Sequence, residues 1–309
     1  MTKPGWTHEY EVELPAGPER VWRALTEPAE LTRWFAEGVE VEPMPGGKFR
    51  FWGRRTYGAP PREKAHQRIT RFEPGREIAF EWEIEGVESE VVLVLEPAGG
   101  AAENAVNARD AGNAGSERTR LRLRHKFPAP PAVPHPTELI DDLWRLTLGN
   151  LDAHLRGGEG LALPDHTDPN PEIRVSTVID APRERVYRAL IEPEALNRWI
   201  ASDAEVEPRV GGRYRYGWRY EVAGRPVEGG PTRILELVEN ERVVTDWPDY
   251  RGDESREVTR VAWILESLGP KKTRVTIVHD GFSRAADASD YPFGWRGFLE
   301  KLKGSVLNS

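Results

Sequence analysis

Polar and apolar residues alternate along Glu9-Tyr10-Glu11-Val12-Glu13-Leu14, and again along Arg174-Val175-Ser176-Thr177-Val178-Ile179. A period of two predicts a strand buried on one face. The spacing then turns helical. Val21, Trp22 and Leu25 lie at i, i+1 and i+4, as do Val186, Tyr187 and Leu190, each set behind a proline (Pro18 or Pro182) suited to a first helical turn. Glu27-Pro28 and Glu192-Pro193 break that helix. A second short helix carries Leu31, Trp34 and Phe35, or Leu196, Trp199 and Ile200. Gly46-Gly47 and Gly211-Gly212 predict tight turns. After them, Lys48-Phe49-Arg50-Phe51 and the run Arg213 to Tyr220 alternate basic and aromatic residues, which predicts one half-buried antiparallel strand in each half. Further strands are predicted near 66–72, 77–84, 89–95 and 119–125, and near 231–238, 241–247, 257–266 and 273–279. Each half closes on a longer helix. Trp144, Leu148, Leu151 and Leu155 share one face, with Thr137 as the N-cap; Trp295, Leu299, Leu302 and Val306 share another.

The two rhythms are one rhythm repeated. Residues 19–51 and 184–216 align without a gap, and 19 of the 33 positions are identical. Trp82 aligns with Trp247 in the same register, whereas Thr119 to His125 matches Thr273 to His279 only after a gap. The first copy therefore holds an insertion. We place it at 97–118, an Ala/Gly/Asn-rich stretch without hydrophobic period, and expect a mobile hairpin loop. The expected organisation is a first domain over 1–156, a Gly/Pro-rich linker over 157–171 (with His166-Thr167-Asp168 in a solvated loop) and a second domain over 172–309. Each copy is expected to be α+β: an antiparallel sheet whose apolar face is buried by the long closing helix.

Composition narrows the chemistry. The formal charge of −8 speaks against a nucleic-acid partner. The absence of Cys excludes disulfides, thiolate catalysis and Cys-ligated zinc. The seven His are scattered without metal-binding spacing, and no G-x-S-x-G motif occurs, so no metal, cofactor or nucleophile is expected. No apolar run reaches the ~18 residues of a membrane span, and residues 1–6 hold no apolar signal core. A cytoplasmic bacterial protein is the expectation.

On the last strand of each copy, Leu121, Leu123 and His125, or Val275, Ile277 and His279, face inward by period two, with Arg120, Arg122 and Arg124 outward. The equivalent His125 and His279 suit a ligand-binding or proton-shuttling group, and equally a satisfied core histidine. Trp82 and Trp247, with Thr245 two residues before the latter, join Phe51, Tyr216, Trp218 and Trp263 on inward faces. Those aromatics could line a cavity for a planar or hydrophobic ligand, or simply fill the core.

The motifs from Ala181 to Leu190, Glu192 to Trp199, Gly211 to Tyr216, Thr273 to Phe282 and Gly294 to Leu302 resemble the AHSA1-like (activator of Hsp90 ATPase homologue 1-like) branch of the START/Bet v 1-like (SRPBCC) helix-grip superfamily. The first copy fits less well, with Gly17, His125-Lys126-Phe127 and Asp142-Leu143-Trp144 at the corresponding places. The resemblance implies two tandem helix-grip domains, each a curved antiparallel sheet around its C-terminal helix with a cavity between them. It implies binding of a small hydrophobic or aromatic ligand at His279, Trp247, Thr245, Tyr216, Trp218, Trp263, His125, Trp82 and Phe51, without catalysis. Two other readings stand beside it: a cyclase- or hydrolase-like enzyme using a cavity His, and a chaperone accessory protein acting on an Hsp90-type partner through its surface. The better-formed pocket is expected in the second copy, and the duplication implies a monomer that acts as an intramolecular pseudo-dimer.

Overall fold

The computed structural model describes residues 5–98, 118–133, 135–222, 225–248, 258–288 and 290–308. Most of the expected loop insertion at 97–118 thus lies outside the described residues. The chain forms two compact units, Met1–Thr167 and Asp168–Ser309.

The first unit runs β1 (Trp6–Leu14), α1 (Pro18–Thr26), α2 (Pro28–Trp34), β2 (Gly38–Val41), β3 (Phe49–Trp52), β4 (Ile69–Glu73), β5 (Glu77–Ile84), β6 (Val87–Pro97), β7 (Thr119–Phe127) and α3 (Pro136–Leu155). Its main sheet is antiparallel in the order β1-β7-β6-β5-β4, and β2 pairs with β3 beside it. The second unit repeats this with β8 (Ile173–Ile179), α4 (Arg183–Ile191), α5 (Pro193–Leu196), β9 (Glu205–Val206), β10 (Tyr214–Arg215), β11 (Trp218–Val222), β12 (Arg225–Gly229), β13 (Ile234–Val238), β14 (Arg242–Trp247), β15 (Thr259–Gly269), β16 (Lys272–Asp280) and α6 (Tyr291–Leu307). Its main sheet has the same antiparallel order, β8-β16-β15-β14-β13. The fold is therefore α+β and duplicated, as the sequence pattern predicts. No helix of the described residues is long and apolar enough to cross a membrane.

The period-two reading of the last strands holds. Leu121, Leu123 and His125 are buried on β7, while Arg122 and Arg124 are exposed. On the outer face Arg120 and Arg122 pair with Glu11 of β1, and Arg122 also reaches Glu96 of β6 at 3.0 Å. These exposed pairs are each worth only ~0–1 kcal/mol, so the buried face carries the stability. Trp144, Leu148 and Leu151 of α3, and Trp295, Leu299, Leu302 and Val306 of α6, are buried as their spacing predicts.

Two local expectations are corrected. Thr137 does not cap α3: the helix starts at Pro136, and His135 occupies the N-cap in the left-handed region at φ 54°. Proline is favoured at the first helical position because its missing N–H is one that no intrahelical carbonyl would accept. The run Arg213 to Tyr220 is not one strand either. It breaks at Gly217 (φ 71°) into β10, which pairs with β9, and β11, which pairs with β12. A Cβ at Gly217 would stand 2.7 Å from the Asp203 carbonyl oxygen, so glycine alone lets the chain turn there. The turn carries Trp218 out of the β10 register.

The same bond ties this region to the first helix in both copies: Trp34 of α2 donates its indole N–H to the Ala24 carbonyl at 3.1 Å, and Trp199 donates to Ala189 at 3.0 Å, although α5 ends at Leu196 and the expected helical Trp199 and Ile200 lie in the turn that follows it. At the C-terminal end of α3, Glu30 forms an ion pair with Arg20 at 2.9 Å and lies 2.6 Å from His154; this trio holds its carboxyl below the usual range despite the opposing effect of desolvation.

In α6, Gly297 is solvent-exposed, and a Cβ added there would meet nothing within 4 Å. Gly297→Ala should therefore stabilise the second domain by about 0.5–1 kcal/mol through helix propensity alone. Scanning calorimetry should show a rise of a few degrees; an unchanged or lowered transition would contradict this account of α6.

Candidate functional site

Inside each domain one chain of hydrogen bonds joins the closing helix to the sheet. In the first, the Trp144 indole N–H donates to His125 Nδ1 at 3.1 Å. An indole nitrogen can only donate, so Nδ1 is the acceptor and the neutral ring carries its proton on Nε2. That Nε2 lies 2.7 Å from Ser89 Oγ, and the Ser89 hydroxyl donates to the Trp82 carbonyl. In the second, Trp295 donates to His279 Nδ1 at 3.1 Å, Nε2 lies 2.8 Å from Thr259 Oγ1, and that hydroxyl donates to the Trp247 carbonyl at 2.9 Å. The hydroxyls are equivalent: Ser89 lies two residues before Val91, the partner of His125, and Thr259 lies two before Val261, the partner of His279. The two Trp side chains, the two His and the two hydroxyls are all placed by period-two strands and by one face of a helix.

Both imidazoles are fully buried. Burial pushes each down to about 3, with His8 (opposite His125 on β1) adding to the shift in the first domain. Each ring is therefore neutral at neutral pH, with both nitrogens engaged inside the protein. The expected acid–base role of His125 or His279 fails on this geometry, because neither ring offers a nitrogen to an open cavity.

Around the relays the two interiors differ. In the first, Phe51 packs against Trp82 at 5.1 Å, Trp82 against Trp144 at 5.5 Å, and Phe80 stacks on Phe49 at 4.1 Å. Phe51, Trp82 and His125 are at most 1% exposed, as are Tyr216, Thr245, Trp263 and His279 in the second domain. In the second, Thr245 stands opposite Ile234 as Phe80 stands opposite Ile69. Tyr214 and Tyr216 replace Phe49 and Phe51; the Tyr214 hydroxyl donates to the Leu190 carbonyl at 2.6 Å, and burial raises both phenols, so they stay protonated. Trp263 is fully buried against Trp199 at 5.6 Å and Trp295 at 6.0 Å.

At the edge of the second core Trp218, Tyr291 and Phe298 are partly buried and pack against it. Trp218 stacks on Phe298 at 5.6 Å and 19°, and lies 6.0 Å from Trp247, which in turn lies 6.3 Å from Tyr291. The Trp218 indole is oriented by the Ile200 carbonyl at 2.7 Å, and Trp247 donates to the Tyr291 hydroxyl at 3.2 Å. Of the expected site residues, Tyr216, Trp218, Trp247 and His279 thus meet in one cluster, with Thr245 and Trp263 buried deeper; His125, Trp82 and Phe51 form the sealed counterpart. Sequence reading missed Tyr291, Phe298, Ser89 and Thr259. The first two lie on the helical face flanking Trp295, four before and three after it, a spacing that could have flagged them.

The sequence profile of the family described as "Activator of Hsp90 ATPase homolog 1-like protein" matches residues 15–156 and again 180–306. Among solved structures, DynU16 from the dynemicin biosynthetic locus is 19% identical over 98% of this chain and 96% of its own, with a TM-score of 0.38. The di-domain ARO/CYC BexL from the BE-7585A biosynthetic pathway is 15% identical over 97% and 98%, with a TM-score of 0.34. Protein CV1439 from Chromobacterium violaceum is 28% identical over 44% of this chain and 96% of its own, with a TM-score of 0.36. A comparison with curated proteins returns no match.

Two outcomes follow from the relays. Thr259→Val keeps shape but leaves the His279 Nε2–H buried without an acceptor, and should cost about 1–3 kcal/mol in urea unfolding, whereas Thr259→Ser should cost under ~1 kcal/mol; equal costs would show that the bond contributes nothing. Both His have folded pKa values below that of the unfolded chain, so their stabilisation is complete above pH ~6.5 and fades as pH falls toward ~3, by up to ~1.4 kcal/mol per pH unit for each ring. Ring ¹⁵N shifts should show both His as the Nε2–H tautomer from pH 7.5 to 5; a titration midpoint near 6 for either would refute the sealed geometry.

Proposed function

The chain belongs to the activator of Hsp90 ATPase homolog 1-like family, once in each half, and on that premise we propose that its second domain binds a small hydrophobic or aromatic molecule at the rim of the sheet–helix interior. One observation carries this reading: the half-buried rings of Trp218, Tyr291 and Phe298 gather around Trp247. Contiguous apolar surface marks binding sites more often than scattered apolar residues do. These rings already touch one another, so a planar or apolar guest would stack on their outer faces and edges.

The first domain supports the reading by contrast. Counted from the shared anchors, Gly53, Ile140 and Thr147 stand where the second domain has Trp218, Tyr291 and Phe298. The aromatic rim therefore belongs to one copy, while the relay and the core belong to both. In this reading the first domain is a structural counterpart with a filled interior. Binding is favoured over catalysis because both His are saturated within the protein.

The reading is tested on the full chain with the fluorescent aromatic probe 8-anilinonaphthalene-1-sulfonate, together with native mass spectrometry of the purified protein for co-purifying small molecules. We expect one probe site that quenches tryptophan emission. Replacing the rim by the residues of the first domain, Trp218→Gly with Phe298→Thr, should weaken the probe at least about tenfold, or ~1.4 kcal/mol. Unchanged affinity in a folded double variant would overturn the assignment.

A further inference from the structure

The two domains differ at one matching place on their surfaces. In the first, Ala36, Asn150 and Ala153 are all buried. After α3 the chain turns over 156–160 and then runs without helix, strand or turn over 161–165, a strap that crosses Asn150. The Asn150 side chain accepts from the Ala162 N–H at 2.6 Å and donates to the Ala162 carbonyl at 2.5 Å, reading the strap's backbone with both ends of its amide. Further along, Asp165 pairs with Arg54 at 3.1 Å, the His166 N–H donates to the Arg54 carbonyl at 2.8 Å, and the His166 ring meets Tyr57 edge-on at 5.6 Å. The segment expected to be a free linker is, over these residues, packed on the first domain. His166 is accordingly half-buried rather than solvated, and burial pushes it down to about 4.

In the second domain the same positions are Ala201, two residues after Trp199 as Ala36 follows Trp34, and Lys301 and Gly304, six and nine residues after Trp295 as Asn150 and Ala153 follow Trp144. None of the three is buried. With Arg198, Trp199 and Ser305 they line a groove of about 840 Å³. One copy of the fold thus carries a covered groove and the other an open one.

We propose that the open groove binds an extended peptide segment of a partner protein, apolar with a small residue at its centre and a carboxylate beyond it. The occupant's chemistry is that of the strap on the first domain, Leu161-Ala162-Leu163-Pro164-Asp165, which shows how this fold receives an extended backbone. Ala201, Gly304 and Ser305 allow the close approach such a backbone needs, and a Cβ at Gly304 would meet nothing within 4 Å. Where the first domain has the Asn150 amide, Lys301 supplies a charged donor for a peptide carbonyl or carboxylate. Arg198 and Lys301, both exposed, make the groove mouth basic and complementary to an acidic residue. Main-chain bonding with side-chain selection at alternate positions is a general mode of peptide recognition. The groove adjoins the aromatic rim, because Lys301 Nζ stands over the Phe298 ring at 5.3 Å and groove-lining Ile200 accepts the Trp218 indole bond; the two are therefore read out separately.

The test uses the full-length protein and a fluorescein-labelled peptide of the strap's own sequence, Glu159 to Asp168, followed by fluorescence anisotropy. Binding is expected, weakened at least about tenfold by Gly304→Trp, which fills the groove from a helix position with open space around it. Lys301→Glu should weaken binding comparably and reduce its dependence on salt. Near-UV circular dichroism of both variants confirms that the fold is kept, and 8-anilinonaphthalene-1-sulfonate binding by Gly304→Trp reports separately on the rim. Three results would each overturn the proposal: no peptide binding by the wild-type chain up to millimolar concentration, equal binding by wild type and Gly304→Trp, or loss of self-association in Gly304→Trp without any peptide binding, which would make the groove a contact between copies.

Discussion

The hydrogen-bonded relay from a helical indole through an imidazole and a hydroxyl to a strand carbonyl is the interaction on which each domain is built. Helix and sheet surfaces in a helix-grip core are otherwise held by apolar contact, which is strong but does not specify register. The relay specifies it. Trp144 and Trp295 each meet their histidine at only one helix rotation and one axial position, because an unmet indole or imidazole nitrogen in a dry core costs about 1–3 kcal/mol. The same condition fixes the imidazole tautomer and forces the neutral state, so the most obvious catalytic candidates of the sequence become structural pins.

With the helix pinned in both copies, variation is confined to what surrounds the pin. The first copy fills its interior with Phe49, Phe51, Phe80 and Trp82 and lays its own chain over the groove beside α3. The second replaces Phe80 by Thr245, sets Trp218 and Phe298 at the rim, and leaves the groove beside α6 open. On the reading proposed above, the first copy is the structural counterpart and the second carries the surfaces offered to a ligand and a peptide. Both open features lie along α6, the element whose exposed glycines contribute least to its own stability and whose position the relay secures.

Much of this was legible in the sequence because it rests on local periodicity. The alternation of Leu121, Leu123 and His125 against Arg120, Arg122 and Arg124 assigns faces without reference to anything distant. The repeated Trp34/Trp199, Trp82/Trp247 and Trp144/Trp295 pairs similarly mark shared architecture. The Trp218 displacement was not legible, because the run Arg213 to Tyr220 keeps a strand's alternation. Only the close approach of Asp203, far along the chain, turns Gly217 into a break. Nor did the cap of α3 follow from Thr137, since the proline at Pro136 took the first helical position.

What the sequence by itself determined was the duplicated α+β fold, the inward and outward faces of its strands, and the family, all of which depend on neighbours within a few residues or on direct comparison of the two copies. What only the tertiary structure decided was the state and use of the side chains. Ser89 and His125 are 36 residues apart and meet because β6 pairs with β7. Trp144 reaches His125, and Ala162 reaches Asn150, because the chain folds back on itself. Whether a histidine is a catalyst or a pin, and whether a Gly/Pro-rich stretch is a linker or a strap, depends on which distant polar group arrives to satisfy it. Periodicity along the chain carries no such information.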